Sequence, residues 1–243
     1  MYYREGRFKY ILFVLVIALI VFLATRDGGR RRGIAGIREP VQKPASGLVQ
    51  KEIDGYQLYI EYKYSYDISA LVVSTKDYGE FDIGDKLAPR DVALAWGRVA
   101  QVNGDIDFHW SQSGRWCYWK LDSEAELIQA GGRNVIGRCT SNNHLIAADD
   151  YIRKAIGTIK RGDYIRMKGY LVDVKGLNSE GRTFSWTSSF SRDDTGAHSC
   201  EVMYVTSIEL VRFCVNAYCV FHRQKAARPW IPPWADSPAW YPR

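Results

Sequence analysis

Apolar and polar side chains alternate strictly from Tyr56 to Tyr66. Tyr56, Leu58, Ile60, Tyr62, Tyr64 and Tyr66 share one face, and Gln57, Glu61, Lys63 and Ser65 lie on the other. Successive strand side chains point to opposite faces, so this period of two predicts a strand with one buried side. Ala70-Leu71-Val72-Val73-Ser74 predicts a second extended segment. Around residues 89–97 a short helix or turn is expected before a further strand. His109-Trp110 and Arg115-Trp116-Cys117-Tyr118-Trp119 predict two hairpin arms turning at Ser113-Gly114. The period then becomes helical in two places. Residues 122–129 open on Asp122 as a capping side chain and carry Glu124 and Glu126 in the first turn. In residues 147–159, Ile152, Ala155, Ile156 and Ile159 recur at spacings of three and four. Asp149-Asp150 stand at the helix start and Lys160-Arg161 at its end. Gly162-Asp163 breaks this helix. Residues 164–174 predict a strand kinked at Gly169, and residues 182–188 and 202–210 predict two more.

Helix, Gly-Asp turn, kinked strand and two further strands are the closing half of a small Greek-key barrel. The expected fold class is therefore β-rich α+β: an OB-like barrel or less regular sheet with one or two helices, preceded by one transmembrane helix. That helix is residues 10–25, whose uncharged run YILFVLVIALIVFLA follows Arg7 and Lys9 and precedes Arg26 and Arg30-Arg31-Arg32. Fifteen residues at ~1.5 Å each span roughly 22 Å, and Thr25, flanking aromatics and snorkelling basic side chains extend that reach toward ~30 Å of hydrocarbon. The competing reading is a cleaved signal peptide, but cutting after Ala24 or Thr25 leaves Phe22 or Leu23 at the −3 position, where cleavage needs a small residue. The remaining divisions are a basic tail (1–9), a Gly/Arg/Pro spacer (26–50), the globular domain (51–212) and a Pro/Trp-rich tail (213–243) expected to be extended or disordered.

The formal charge of +6 suggests a nucleic-acid or membrane partner until it is located. Residues 1–45 hold nine Lys/Arg against three Asp/Glu, which is the whole excess, and residues 46–212 hold 20 basic and 23 acidic groups. A nucleic-acid domain draws most of its affinity from phosphate neutralisation, so the charge pattern argues against that class and for a lipid bilayer beside the anchor. The cysteines Cys117, Cys139, Cys200, Cys214 and Cys219 match no paired zinc spacing. Cys214-x4-Cys219-x2-His222 lacks a nearby fourth ligand. Buried inert thiols and one or two disulfides are both open, and no metal or other cofactor is expected.

Two segments hold the candidate chemistry. Asn142-Asn143-His144 precedes the better helix, and residues 188–201 join two predicted strands. A hydrolase reading makes Cys200 the nucleophile, His144 or His198 the base and Asp194 its orienter, yet no nucleophile elbow surrounds Cys200. The binding candidates are Arg192, Asn143, His144 and Glu201. The bland readings are a turn at Asp194-Thr195-Gly196 and an ion pair at Arg192.

Trp96-Gly97, Arg115-Trp116-Cys117-Tyr118-Trp119, Asn142-Asn143-His144-Leu145-Ile146, Gly169-Tyr170-Leu171-Val172, Ser188-Ser189 through Asp194-Thr195-Gly196 and Cys200-Glu201 follow one another in an order that resembles an uncharacterised family of bacterial proteins. The resemblance spans about residues 70–210 and implies a single-pass, membrane-anchored domain, with no activity to carry over. Six Lys/Arg after the apolar run against three before it place the domain in the cytoplasm. A short basic tail before a first apolar segment is instead the signal-anchor layout, and long domains translocate regardless of charge. The expectation is an inner-membrane protein whose extracytoplasmic domain binds an envelope protein or other ligand without catalysis. The alternatives are a Cys/His envelope hydrolase and a cytoplasmic single-strand nucleic-acid binder. Oligomeric state is left open.

Overall fold

The computed structural model describes Val14, Val16, residues 32–193 and residues 200–211. Along the described chain come β1 (Val41–Ile53), β2 (Tyr56–Asp77), α1 (Ile83–Leu87), β3 (Arg90–Ala95), α2 (Gly97–Val102), β4 (Ser111–Ser113), β5 (Trp116–Tyr118), α3 (Glu124–Ala130), α4 (Arg133–Arg138), β6 (Thr140–Ala147), α5 (Asp150–Gly157), β7 (Tyr164–Asn178), β8 (Thr183–Trp186) and β9 (Glu201–Val211). The domain is β-rich with few helices, as the alternation implies. Val14 and Val16 are helical, and the rest of residues 10–25 lies outside the described residues, as does the tail from 213. Among the described residues no helix is long and apolar enough to cross a membrane.

Seven strands make one mixed sheet in the order β1-β2-β3-β6-β9-β7-β8, and β2 also pairs with β7. That extra pairing closes β2, β3, β6, β9 and β7 into a ring. Its pairings are antiparallel except between β6 and β9, which run parallel. The length of β2 makes closure achievable. Residues 56–71 pair with β7 and residues 71–77 with β3, and register shifts at Tyr62/Tyr64 and Val72/Ser74 bend the strand between the two tasks. The strand runs unbroken where two segments were expected, because Asp67 and Ser69 continue the ladder and Asp67 takes Arg166 at 2.7 and 2.9 Å.

The kink expected at Gly169 is a bulge in the β7–β9 pairing. A Cβ there would lie 2.0 Å from the Tyr204 carbonyl oxygen, so two backbones meet where only glycine fits. The ring separates two apolar clusters. Tyr66, Ile68, Leu94, Leu145, Met167 and Met203 pack with Val99 of α2 and Ile152 of α5 in the larger one. Leu58, Ile60, Ile146, Val172, Val174 and Val202 pack with Leu87 in the smaller. Adjacent residues Leu145 and Ile146 therefore serve opposite sides of one strand, as do Met203 and Val202.

Five sequence expectations are corrected by the structure. Residues 41–50, read as spacer, belong to β1, an edge strand whose half-exposed residues do not alternate and whose Pro44 sits at a register shift. Residues 90–95, read as helix or turn, are β3, and the segment 142–146, for which no strand is expected, lies in β6. Both are buried on both faces, so neither displays a period of two. The better helix is shorter than 147–159: Asp149 caps it by accepting from Ile152 N at 2.8 Å, and Ala147 is held by Val205 across the β6–β9 ladder. Ser123 rather than Asp122 caps α3, accepting from Glu126 N at 3.2 Å.

Replacing Gly169 with Ala is expected to destabilise the domain by about 3 kcal/mol or to prevent folding, since backbone must move to admit the methyl group. Gly157→Ala, with nothing within 4 Å of the added carbon, is expected to be neutral or to stabilise by up to about 1 kcal/mol. Denaturant unfolding of the two variants checks this opposition in sign.

Candidate functional site

Asp91 of β3 faces His144 of β6 in the antiparallel register. Its carboxylate is fully buried (0% exposed) among apolar neighbours, so it needs partners that are themselves held in place. Oδ1 lies 2.8 Å from His144 Nδ1 and accepts from Arg115 Nη1 at 2.8 Å. A carboxylate only accepts, so Nδ1 is the protonated nitrogen of His144. The His144 ring lies 4.6 Å from the Trp186 ring of β8, against which Phe184 packs edge-on.

Arg115 comes from the turn of the β4–β5 hairpin. The turn is one residue later than the sequence suggests: Gly114 and Arg115 form a two-residue loop between paired Ser113 and Trp116, both with positive φ (+55° and +71°). For a side chain with a Cβ that backbone is uncommon and persists only when its surroundings over-determine it. They do. The Arg115 N–H donates to the Tyr78 hydroxyl at 3.1 Å, and its carbonyl accepts from Asn142 Nδ2 at 2.8 Å with Cys200 Sγ at 3.7 Å. Gln112 Nε2 steadies Asn142 by donating to its Oδ1 at 2.6 Å.

The guanidinium is gripped as closely as the backbone. Nη1 donates to Ala88 O at 2.8 Å as well as to Asp91, Nη2 donates to Asp85 Oδ1 at 2.5 Å, and the Tyr78 ring stacks 3.7 Å away. Trp186 stands 5.3 Å off. Burial, reinforced by the Asp91 charge, pushes the Tyr78 phenol above its ordinary pKa and keeps it neutral. One arginine thereby ties the loop after β2, the start of β3, the hairpin and β8 to a single face.

The candidate residues separate into two groups because Asn143 and His144 are neighbours on a strand and face opposite ways. His144 and Cys200 lie toward the Arg115 face. Asn143 and Glu201 are partners in the β6–β9 register on the other, with Arg192 on Glu201 Oε1. Arg192 Nη2 also donates to the Tyr66 hydroxyl at 2.6 Å, and its guanidinium stands 5.3 Å from both the Tyr66 and Trp96 rings. Burial first, and then the Glu201 charge, raise the Tyr66 pKa. Asn143 Nδ2 donates to Ser141 Oγ at 2.8 Å. Asp194 and His198 lie outside the described residues.

Cys200 Sγ is 3.9 Å from Asn142 Nδ2, while His144 Nδ1 is engaged by Asp91. Burial, and after it the neighbouring Cys200, push the Cys117 thiol up to about 12. Among the described residues no three His, Cys, Asp or Glu side chains converge as metal ligands. Sequence reasoning missed Asp85, Asp91, Tyr78, Trp186 and Arg115. Two signals were available: Asp91 is a lone acid heading the apolar run 92–96, and Arg115 follows a turn glycine.

Removing the carboxylate in Asp91→Ala strands the buried His144 and leaves the half-buried Arg115 with the Asp85 carboxylate alone, for an expected loss of about 3 kcal/mol in equilibrium unfolding. Native Cys117 is expected to react with iodoacetamide at pH 8 on the order of a thousandfold more slowly than in the unfolded chain, because the thiolate is the nucleophile. Mass-spectrometric labelling rates read this directly.

Comparison with family models, curated proteins and solved structures gives no match to this chain.

Proposed function

We propose that this chain is a membrane-anchored, non-catalytic binding or assembly module of the bacterial envelope, with an OB-like domain on the extracytoplasmic side of the inner membrane. The observation that carries the binding part is the location of the Arg115 cluster. Taking β2, β3, β6, β7 and β9 as strands one to five of the barrel, α5 falls between the third and fourth, and the third and fifth run parallel. OB-like barrels recognise ligands on the face of strands two and three and on the loops joining strands one to two and four to five. In this chain those places hold Asp91 and His144, Tyr78 and Asp85, and Trp186.

Asp85, Asp91, Arg115 and His144 are bonded to one another, with only Asp91 Oδ2 among them buried without a hydrogen bond, which suits a shaped surface better than a free base or nucleophile. The cluster holds two carboxylates against one guanidinium in a domain whose residues 46–212 are slightly acidic, which favours a protein or other cation-bearing partner over a polyanion. Residues 10–24, uncharged and bracketed by basic side chains, support the anchor, and the short basic tail before them supports the topology.

Phosphatase and cytoplasmic-reporter fusions after residue 48 test the topology, and alkaline carbonate extraction tests the anchor. Active phosphatase and a membrane-retained full chain are expected, while an active cytoplasmic reporter or a soluble chain overturns that part. Photo-crosslinking amino acids at Phe81 and Tyr118, exposed near the cluster, are expected to give a discrete adduct in cells that Ile128 on α3 does not. Adducts at none of these positions, or equally at all, overturn the binding reading.

A further inference from the structure

The Arg115 side chain lies in surroundings that describe a ligand. A planar cation is flanked by the Tyr78 face at 3.7 Å, bonded along its edges by Asp85, Asp91 and the Ala88 carbonyl, and approached by Trp186. An aromatic face and two carboxylates that match a rigid fork of N–H donors select a guanidinium over a point-charge ammonium. Four of these five groups, Tyr78, Asp85, Ala88 and Asp91, lie within fourteen positions along the chain, on the connection from β2 through α1 to the first residues of β3, so the cage is built without the hairpin. The hairpin that supplies the occupant is itself small: β4 and β5 have three residues each and pair only with one another. Two-stranded units of that size are marginal alone, and this one presents Arg115 from its two-residue turn. The side chain remains 20% exposed, and the exposed Phe81 and Tyr118 flank the hairpin and the loop after β2.

We propose that Tyr78, Asp85, Asp91 and the Ala88 carbonyl form a guanidinium-binding cage whose ligand is an arginine side chain of a protein partner, and that Arg115 is its placeholder. The proposal rests on the binding reading above and gives that face its ligand class. Vacating the cage leaves two carboxylates against an aromatic ring, an arrangement that draws in a cation. The partner's arginine replaces the Arg115 side-chain contacts one for one.

The test uses the full-length chain in nanodiscs, with agmatine as the guanidinium probe and butylamine as the ammonium control at matched ionic strength. Arg115→Ala is expected to show a saturable rise in Tm with millimolar agmatine and little with butylamine. Wild type is expected to respond at least about tenfold more weakly, because the competent state is only a fraction of the population. The double variant Asp91→Asn with Arg115→Ala is expected to lose the response. If Arg115→Ala does not fold, Arg115→Lys takes its place: it keeps a cation but not the fork, and agmatine is expected to raise its Tm more than that of wild type. Equal responses across these proteins, or a response to butylamine equal to that for agmatine, overturn the cage. Crosslinks at Phe81 and Tyr118 that persist while agmatine fails sink the cage alone and leave the binding reading standing. Agmatine binding without any crosslink does the reverse.

Discussion

The bond from Asp91 to Arg115 is the constraint on which the candidate site depends. A carboxylate with no exposed surface is tolerable only if its partners are fixed, and Arg115 is fixed at its N–H, its carbonyl and its guanidinium. Each anchor belongs to a different element: Tyr78 after β2, Asn142 on β6, Asp85 on α1. The pair thus converts a two-stranded hairpin of little intrinsic stability into a defined cover over the β3–β6 face. Replacing such a pair with apolar residues is often neutral or stabilising, so what the pair contributes is the geometry it imposes more than net energy.

The same face exists only because the sheet closes. β2 reaches both β3 and β7, β6 lies beside β9, and the close approach at Gly169 lets β7 follow β9 past its bulge. With β3 and β6 covered on both sides, their polar residues have no water to turn to and must find protein partners. Asp91, Asn142 and His144 do so on one side and Asn143 with Ser141 on the other, with Asp91 Oδ2 and Asn143 Oδ1 left without a hydrogen bond. The split of Asn143 from His144 separates an Arg192–Glu201–Tyr66 network near Trp96 from the Arg115 cage, two charged networks on opposite sides of one strand.

Legibility in the sequence followed burial. The first half of β2, the strand kink at Gly169, the hairpin around Gly114 and α5 were readable, since each has one solvated side or a glycine with a steric task. β3 and β6 were not, because strands buried on both faces lose their period and a run such as Ser141-Asn142-Asn143-His144 looks like a loop. His144, Asn143, Cys200, Glu201 and Arg192 stood out as residue types capable of chemistry. Asp85, Tyr78 and Trp186 gave no such signal, since nothing local distinguishes a carboxylate or ring that will meet Arg115 from one that will meet water.

What the sequence determined by itself is what acts over short range along the chain: the strand alternation, the acidic start of α5, the apolar N-terminal run, and the placing of the positive charge outside a balanced domain. Which strand lies beside which, and therefore which charges meet, was decided by the tertiary structure. Asp91 and Arg115 are 24 residues apart and Asp91 and His144 are 53 apart. Their energies depend on a shared, dry environment that no single segment creates, and that environment appears only when the ring of strands closes and the hairpin folds down over it.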